Sequence, residues 1–240
     1  MKQRKIKTLR LIWIAIGICF FLWIVFSYQT KGVDESIFRS NSTIQVENTN
    51  DFISFIPKKG YQKVFIFFPG AMVGFDAYAP LCRKIAENGY KSIIIKMPWR
   101  LPSYGYNKPK EMNFFQDSSK EYILAGHSKG GMMAAQFVYE NPILIDKLIL
   151  LGTTHPRDFD LSKSLIPIMK ISGSNDGVAD TKSINQNKPK LPANTKYVLI
   201  QGGNHSQFGY YGSQLGDNEA SISREEQQKI ILNSILSFIK

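Results

Sequence analysis

Residues 122–131 read Tyr-Ile-Leu-Ala-Gly-His-Ser-Lys-Gly-Gly, and the segment that follows, 132–140, is rich in Met and Ala. The leading residues form an apolar run of strand type, while the spacing over 129–140 predicts a helix. Between the two, Gly126-His127-Ser128-Lys129-Gly130 fits the pattern G-x-S-x-G. A strand that passes directly into a helix must turn very sharply, and the turn lifts the serine hydroxyl above the sheet. Glycines on both sides of Ser128 remove Cβ atoms that would collide there, and Gly131 lets the helix start approach its neighbours closely. The five residues alone occur by chance in many chains; the strand before them and the helix after them give them weight.

Working outward, alternation of strand and helix continues in both directions. Strand-type runs fall at 52–56, 63–68, 92–96, 147–151, 166–172 and 197–200, and helical spacing falls at 78–88, where Gly89 is a C-cap. Ser223 to Glu226 forms a capping box and leads into Ile231, Ile235, Phe238 and Ile239 on one helical face. This order predicts the α/β class, with a mostly parallel central sheet flanked by helices. Residues 51–240 are expected to form the folded domain. Residues 29–50 are polar and read as a linker or as a weak first strand including 43–46.

The formal charge of +11 is partly local, because Lys2, Arg4, Lys5, Lys7 and Arg10 precede the first apolar run. The remaining 25 basic residues exceed the 19 acidic ones by 6, without a basic stripe interleaved with aromatics, so no nucleic-acid partner is expected. Two cysteines, Cys19 and Cys82, fall in different segments and leave no disulfide within the domain. With three histidines and no paired ligand spacing, no metal site is expected either, and no cofactor is implied.

Leu11 to Phe26, with Ser27 and Tyr28, gives about 18 residues, or about 27 Å of helix, close to the ~30 Å hydrocarbon core. Residues 1–28 are thus expected to form a basic tip and a single transmembrane helix. The basic cluster before the run, with none straight after it, predicts a cytoplasmic N-terminus and an extracytoplasmic domain at the cell membrane. Trp13, Trp23 and Tyr28 are expected at the membrane interfaces. The alternative is a cleaved signal sequence and a secreted domain, but the run is long and bulky and no A-x-A-like site follows it.

A serine hydroxyl is a poor nucleophile until a base removes its proton, so a histidine must lie later in the chain. His127 sits beside the serine on the wrong side of a tight turn, and His155 follows the next strand, too early in the expected order. His205, in Gly202-Gly203-Asn204-His205 after the last strand, is the expected general base. The acid that holds the imidazole should come from the preceding loop, where Asp176 is the natural choice and Asp180 the runner-up. Two backbone N–H donors should stabilise developing negative charge. One is expected at Lys129, the other at Ala71 after Pro69-Gly70, with Met72 the alternative.

Phe68-Pro69-Gly70-Ala71, Gly126 to Gly131, Ser172 to Gly177 and Gly202 to Gly209 together resemble a single-domain bacterial α/β-hydrolase family related to the dienelactone-hydrolase group. Ile222 to Gln227 resembles that family's C-terminal segment, and the likeness covers roughly residues 60 to 235. The resemblance implies an α/β-hydrolase fold, Ser128, Asp176 and His205 as a triad, and hydrolytic activity. True dienelactone hydrolases carry Cys where this chain has Ser128, which sets their particular substrate apart.

The expected activity is therefore cleavage of a carboxylic ester, or of an amide or thioester, through an acyl-serine. An acyltransferase would use the same triad, and a non-catalytic envelope protein could use the same fold. Met72, His127, Trp99 and Phe208 are expected near the substrate. The interval between Leu151 and Ile166 leaves no room for a large helical lid, so the pocket should be open and suited to small or polar-ended esters rather than lipid aggregates.

Overall fold

The structure, a computed structural model, describes residues 2–240; the side chains of Lys2, Arg4 and Lys5 in the expected basic tip lie outside the described residues. The strands are β1 (Ile44–Asn48), β2 (Phe52–Pro57), β3 (Lys63–Phe68), β4 (Lys91–Ile95), β5 (Glu121–His127), β6 (Lys147–Leu151), β7 (Ile168–Gly173) and β8 (Lys196–Ile200). They form one sheet in the order β1-β2-β4-β3-β5-β6-β7-β8. β2 runs antiparallel to both β1 and β4, and every pair from β4 to β8 is parallel.

The helices are α1 (Lys2–Ser27), α2 (Ala79–Glu87), α3 (Lys108–Glu111), α4 (Lys129–Glu140), α5 (Thr181–Asn187) and α6 (Arg224–Ile239). Covering both sheet faces lets the parallel strands be apolar along their whole length. On β3, Phe65 and Phe67 enter the layer containing Ile85 of α2 and Ile231 and Ile235 of α6. Val64, Ile66 and Phe68 enter the opposite layer with Phe137 and Val138 of α4. Ser223 caps α6 by accepting the Glu226 N–H, as the capping box predicts. Phe238 is only partly buried, so Ile231, Ile235 and Ile239 carry that helix's contact.

After β3 the chain places β4 on one side and then crosses to β5 on the other. The loops leaving β3 and β5 therefore diverge from neighbouring strand ends, and such a switch point opens a crevice at the carboxyl edge of a parallel sheet. Gly70 and Ser128 lie there.

Residues 29–50 are not a loose tether. Asp34 caps a short 3-10 turn, Glu35–Phe38, and β1 pairs with β2 at the sheet edge. Nη1 of the nearly buried Arg83 donates to the carbonyls of Ser36, Ile37 and Arg39 at 3.3, 2.5 and 2.8 Å, fastening the segment to α2. Within α1, Ile6–Ser27 is long and apolar enough to cross a membrane, and its side chains through Trp23 are exposed. Trp23 is exposed as an interface aromatic requires, whereas Tyr28 packs on Tyr211 with ring centroids 6.2 Å apart.

Candidate active site

Ser128 has φ 54° and ψ −121°, a conformation that side-chain-bearing residues rarely adopt. Its amide is held by Leu151 O at 2.9 Å, which ties the turn to β6. The glycine requirement is steric. A Cβ on Gly126 would lie 2.4 Å from Gly130 O, and one on Gly130 would lie 2.2 Å from Phe68 O. Only bare backbone allows the start of α4 to pass this close to both β5 and β3.

The loops after β7 and β8 bring the other two groups to this hydroxyl. His205 Nε2 lies 3.0 Å from Ser128 Oγ, and His205 Nδ1 lies 2.9 Å from Asp176 Oδ2. His205 is fully buried and Asp176 nearly so. The second carboxylate oxygen of Asp176 accepts the N–H groups of Val178 and Ala179 at 2.9 and 2.6 Å, leaving Oδ2 aimed at the imidazole. Asp180 cannot take this place. Its carboxylate caps α5, accepting the Ser183 N–H and hydroxyl at 2.9 and 2.7 Å.

Of the two expected anion-stabilising donors, Lys129 lines the same cleft as Ser128. Lys129 is the first residue of α4, where an N–H has no partner inside the helix. Met72 is excluded as a donor because its N–H is given to Arg100 O at 2.8 Å, which leaves Ala71. Tyr78 fixes the neighbouring residue, its hydroxyl accepting Gly70 N–H at 3.1 Å while lying 2.9 Å from His127 Nδ1.

A cleft of about 250 Å³ opens beside Ser128, lined by Lys129, Met132, Thr153, His155, Arg157 and Val178 among others. None of the four residues expected near substrate belongs to that lining. His127 and Phe208 are fully buried, because the 3-10 turn Ser206–Phe208 folds the Phe208 ring inward to stack on His127 at 5.3 Å. His127 in turn packs beneath His205, with ring centroids 4.6 Å apart. Burial, followed by the charge of His205, holds the His127 pKa well below its ordinary value. Trp99 turns into solvent, 85% exposed, and Met72 is 40% exposed.

His155, too early in the chain to be the expected base, is 8% exposed and forms a wall of the cleft. Burial first, and then the Arg157 charge, lower its pKa to about 4. Beneath that wall, Lys170 of β7 donates to His155 O at 2.6 Å and Asn187 Nδ2 donates to Thr154 O at 2.9 Å. The position of His155 just past β6, the neighbour of the serine-bearing strand, was the available signal.

Two further residues hold the histidine loop. Asp217 accepts the N–H groups of His205, Ser206 and Gly177 at 3.1, 2.8 and 3.3 Å. Gln227, buried on α6, accepts Asn204 N–H at 3.0 Å and donates to Asn204 O at 2.8 Å. A larger hollow of about 550 Å³ lies behind this loop, lined by Ser206, Asp217 and Arg224, and does not reach Ser128.

A family model described as "Alpha/beta hydrolase family" matches residues 64–229, a span that holds the serine turn, Asp176 and His205. The chain belongs to the α/β-hydrolase family. Similar solved structures share the α/β-hydrolase fold at low identity. Est1E of Butyrivibrio proteoclasticus, with ferulic acid bound, is 14% identical at a TM-score of 0.60, covering 82% of this chain and 96% of that one. A Klebsiella pneumoniae protein assigned as a dienelactone hydrolase is 14% identical with TM-score 0.60, covering 83% and 96%. A soluble variant of the monoglyceride lipase of Saccharomyces cerevisiae, bound to a substrate analogue, is 12% identical with TM-score 0.58, covering 82% and 95%. No curated protein matches the sequence significantly.

Proposed function

We propose that this α/β-hydrolase is a membrane-anchored serine esterase that cleaves small carboxylic esters through an acyl-Ser128 intermediate. The observation that carries the reading is the continuous chain Ser128 Oγ, His205, Asp176, with its two links at 3.0 and 2.9 Å, at the mouth of a cleft. His205 Nε2 takes the hydroxyl proton as Ser128 attacks the carbonyl carbon, and returns it to the leaving alcohol. Asp176 keeps the imidazole oriented and stabilises its cation without taking the proton. The amides of Lys129 and Ala71 receive the charge that develops on the carbonyl oxygen, each worth about 3 kcal/mol. Water, activated by the same imidazole, then releases the acid.

The cleft of about 250 Å³ falls below the range of roughly 300–1,000 Å³ typical of drug-sized ligands, which favours a short acyl group. Two solved structures of the same fold are named a monoglyceride lipase and a ferulic acid esterase, names that favour an ester as substrate. The apolar length of Ile6–Ser27 supports an anchor, and the basic residues before it favour a cytoplasmic N-terminus with the domain outside.

Labelling with a fluorophosphonate tests the reading. Wild type should be labelled and hydrolyse short acyl esters in a panel, and Ser128→Ala should do neither. Labelling that persists in Ser128→Ala would overturn it. Protease added to intact cells should remove the domain; cleavage only after lysis would reverse the topology.

A further inference from the structure

The end of α1 is built into the active-site edge. Phe26 is 67% exposed, and the next residue, Ser27, is 5% exposed. Ser27 Oγ donates to Ser213 O, while Gly212 N–H donates to Ser27 O at 2.8 Å. Lys31 N–H donates to Tyr210 O at 2.8 Å, and Thr30 forms a β-bridge with Tyr211. A Cβ on Gly74 would come within 3.1 Å of Thr30 Oγ1. The loop that follows β8 and carries His205 therefore grips the end of the helix, and Gly74, in the loop that follows β3, lies close to Thr30.

From this we infer that α1 holds the domain with its active-site edge against the bilayer, and that the substrate is a short-acyl ester borne by an amphiphile resident in that membrane. The inference rests on the esterase reading of Ser128 and on α1 being retained as an anchor. A flexible tether of n residues would let the domain wander by roughly 5–6 Å × √n and turn freely. Here no free residue separates the apolar helix from the loop it is bonded to, so the lipid surface begins within about one helical turn of that loop. The contact runs inward to the chemistry. Tyr28 stacks on the buried Tyr211, whose hydroxyl reaches His205 O at 3.5 Å.

The side chains at that edge suit a headgroup zone. Trp99 and Leu215 are 85% and 57% exposed, with the cationic Arg100 next in chain to Trp99 and Lys31 against Gly212. Exposure alone does not decide the face, since Ile143 on the opposite edge is 92% exposed. The grip on α1 decides it. With the acyl group in the small cleft, the alcohol portion can remain in the lipid.

The test uses the full chain in liposomes. In a Cys19→Ser background, where Cys82 is buried and unreactive, single variants Leu215→Cys, Trp99→Cys and Ile143→Cys carry an environment-sensitive fluorophore. Lipids bearing a nitroxide near the headgroup should quench the labels at 215 and 99 several-fold more than the label at 143. Any other ranking overturns the orientation. That readout needs no turnover, and fluorophosphonate labelling of the same liposomes reports on Ser128 separately, as the mass of the recovered protein reports on retention of α1. Given one acyl group on a long-chain alcohol in the liposome or on a water-soluble alcohol, the enzyme should cleave the first about tenfold faster at equal total concentration. Equal rates would overturn the substrate assignment.

Discussion

The amide of His205 donates to Oδ1 of Asp217 at 3.1 Å, across a loop of the chain that returns to the histidine. The same carboxylate takes the N–H of Ser206, the hydroxyl of Ser206 and the N–H of Gly177. Gly177 follows Asp176 directly. Asp217 thus joins the backbone at His205 to the backbone next to Asp176.

Replacing Asp217 should therefore change rate more than binding. In Asp217→Ala the donors at His205, Ser206 and Gly177 lose their shared acceptor, each at a cost of about 1–3 kcal/mol where buried. The imidazole then loses its register with Ser128, and misplacement on the scale of 1 Å can cost about 100-fold. We expect kcat on a short ester to fall about 10- to 100-fold with KM nearly unchanged, and Asp217→Asn, which keeps one acceptor oxygen, to fall less. Steady-state kinetics of the two variants check this.

Much of this arrangement is legible in the sequence, and its limits have physical causes. The strands show because parallel strands buried on both faces leave continuous apolar runs, as Lys63–Phe68 does. Ser128, Asp176 and His205 show because each follows a strand end in a fixed chain order. Asp217 and Gln227 do not, since their partners are backbone groups brought near only when the loop folds. Phe208 and His127 look like pocket residues by position, but a 3-10 turn and a stacking contact send both inward. The 29–50 segment is polar enough for a linker, yet its weak strand forms β1 against β2, and the guanidinium of Arg83 holds the stretch before it.

Stability should follow the buried lysine under the cleft. Burial lowers the Lys170 pKa from 10.5 to about 7. Below about pH 7 the group is protonated folded or unfolded, and the full cost of burying the charge is present. Between about 7 and 10.5 the unfolded chain binds more protons, so this contribution to stability rises with pH and is complete above 10.5. Lys170→Met should flatten that rise in Tm. It should be the more stable form near pH 6 and lose its advantage near pH 10, which thermal melts across the range will measure.

The serine turn should tolerate no methyl group at Gly130. Its Cβ would meet two backbone oxygens, Phe68 O at 2.2 Å and Pro69 O at 2.3 Å. At Gly131 the nearest contacts are 2.8 Å to Gly126 O and 3.0 Å to the Thr153 side chain. At roughly 2–4 °C per kcal/mol for a chain of this size, Gly130→Ala should lower Tm by about 5–10 °C and Gly131→Ala by less. Paired melts of the two variants give the comparison.

The account turns on Ser128 becoming acylated. Rapid mixing with an activated acetate ester, for which acylation outruns deacylation, followed by acid quench and mass analysis, reads that step directly. We predict a burst of alcohol stoichiometric with protein and one acetyl group on the peptide containing Ser128, both abolished in Ser128→Ala. Undiminished hydrolysis by Ser128→Ala, or acetyl found on another residue, would contradict the account.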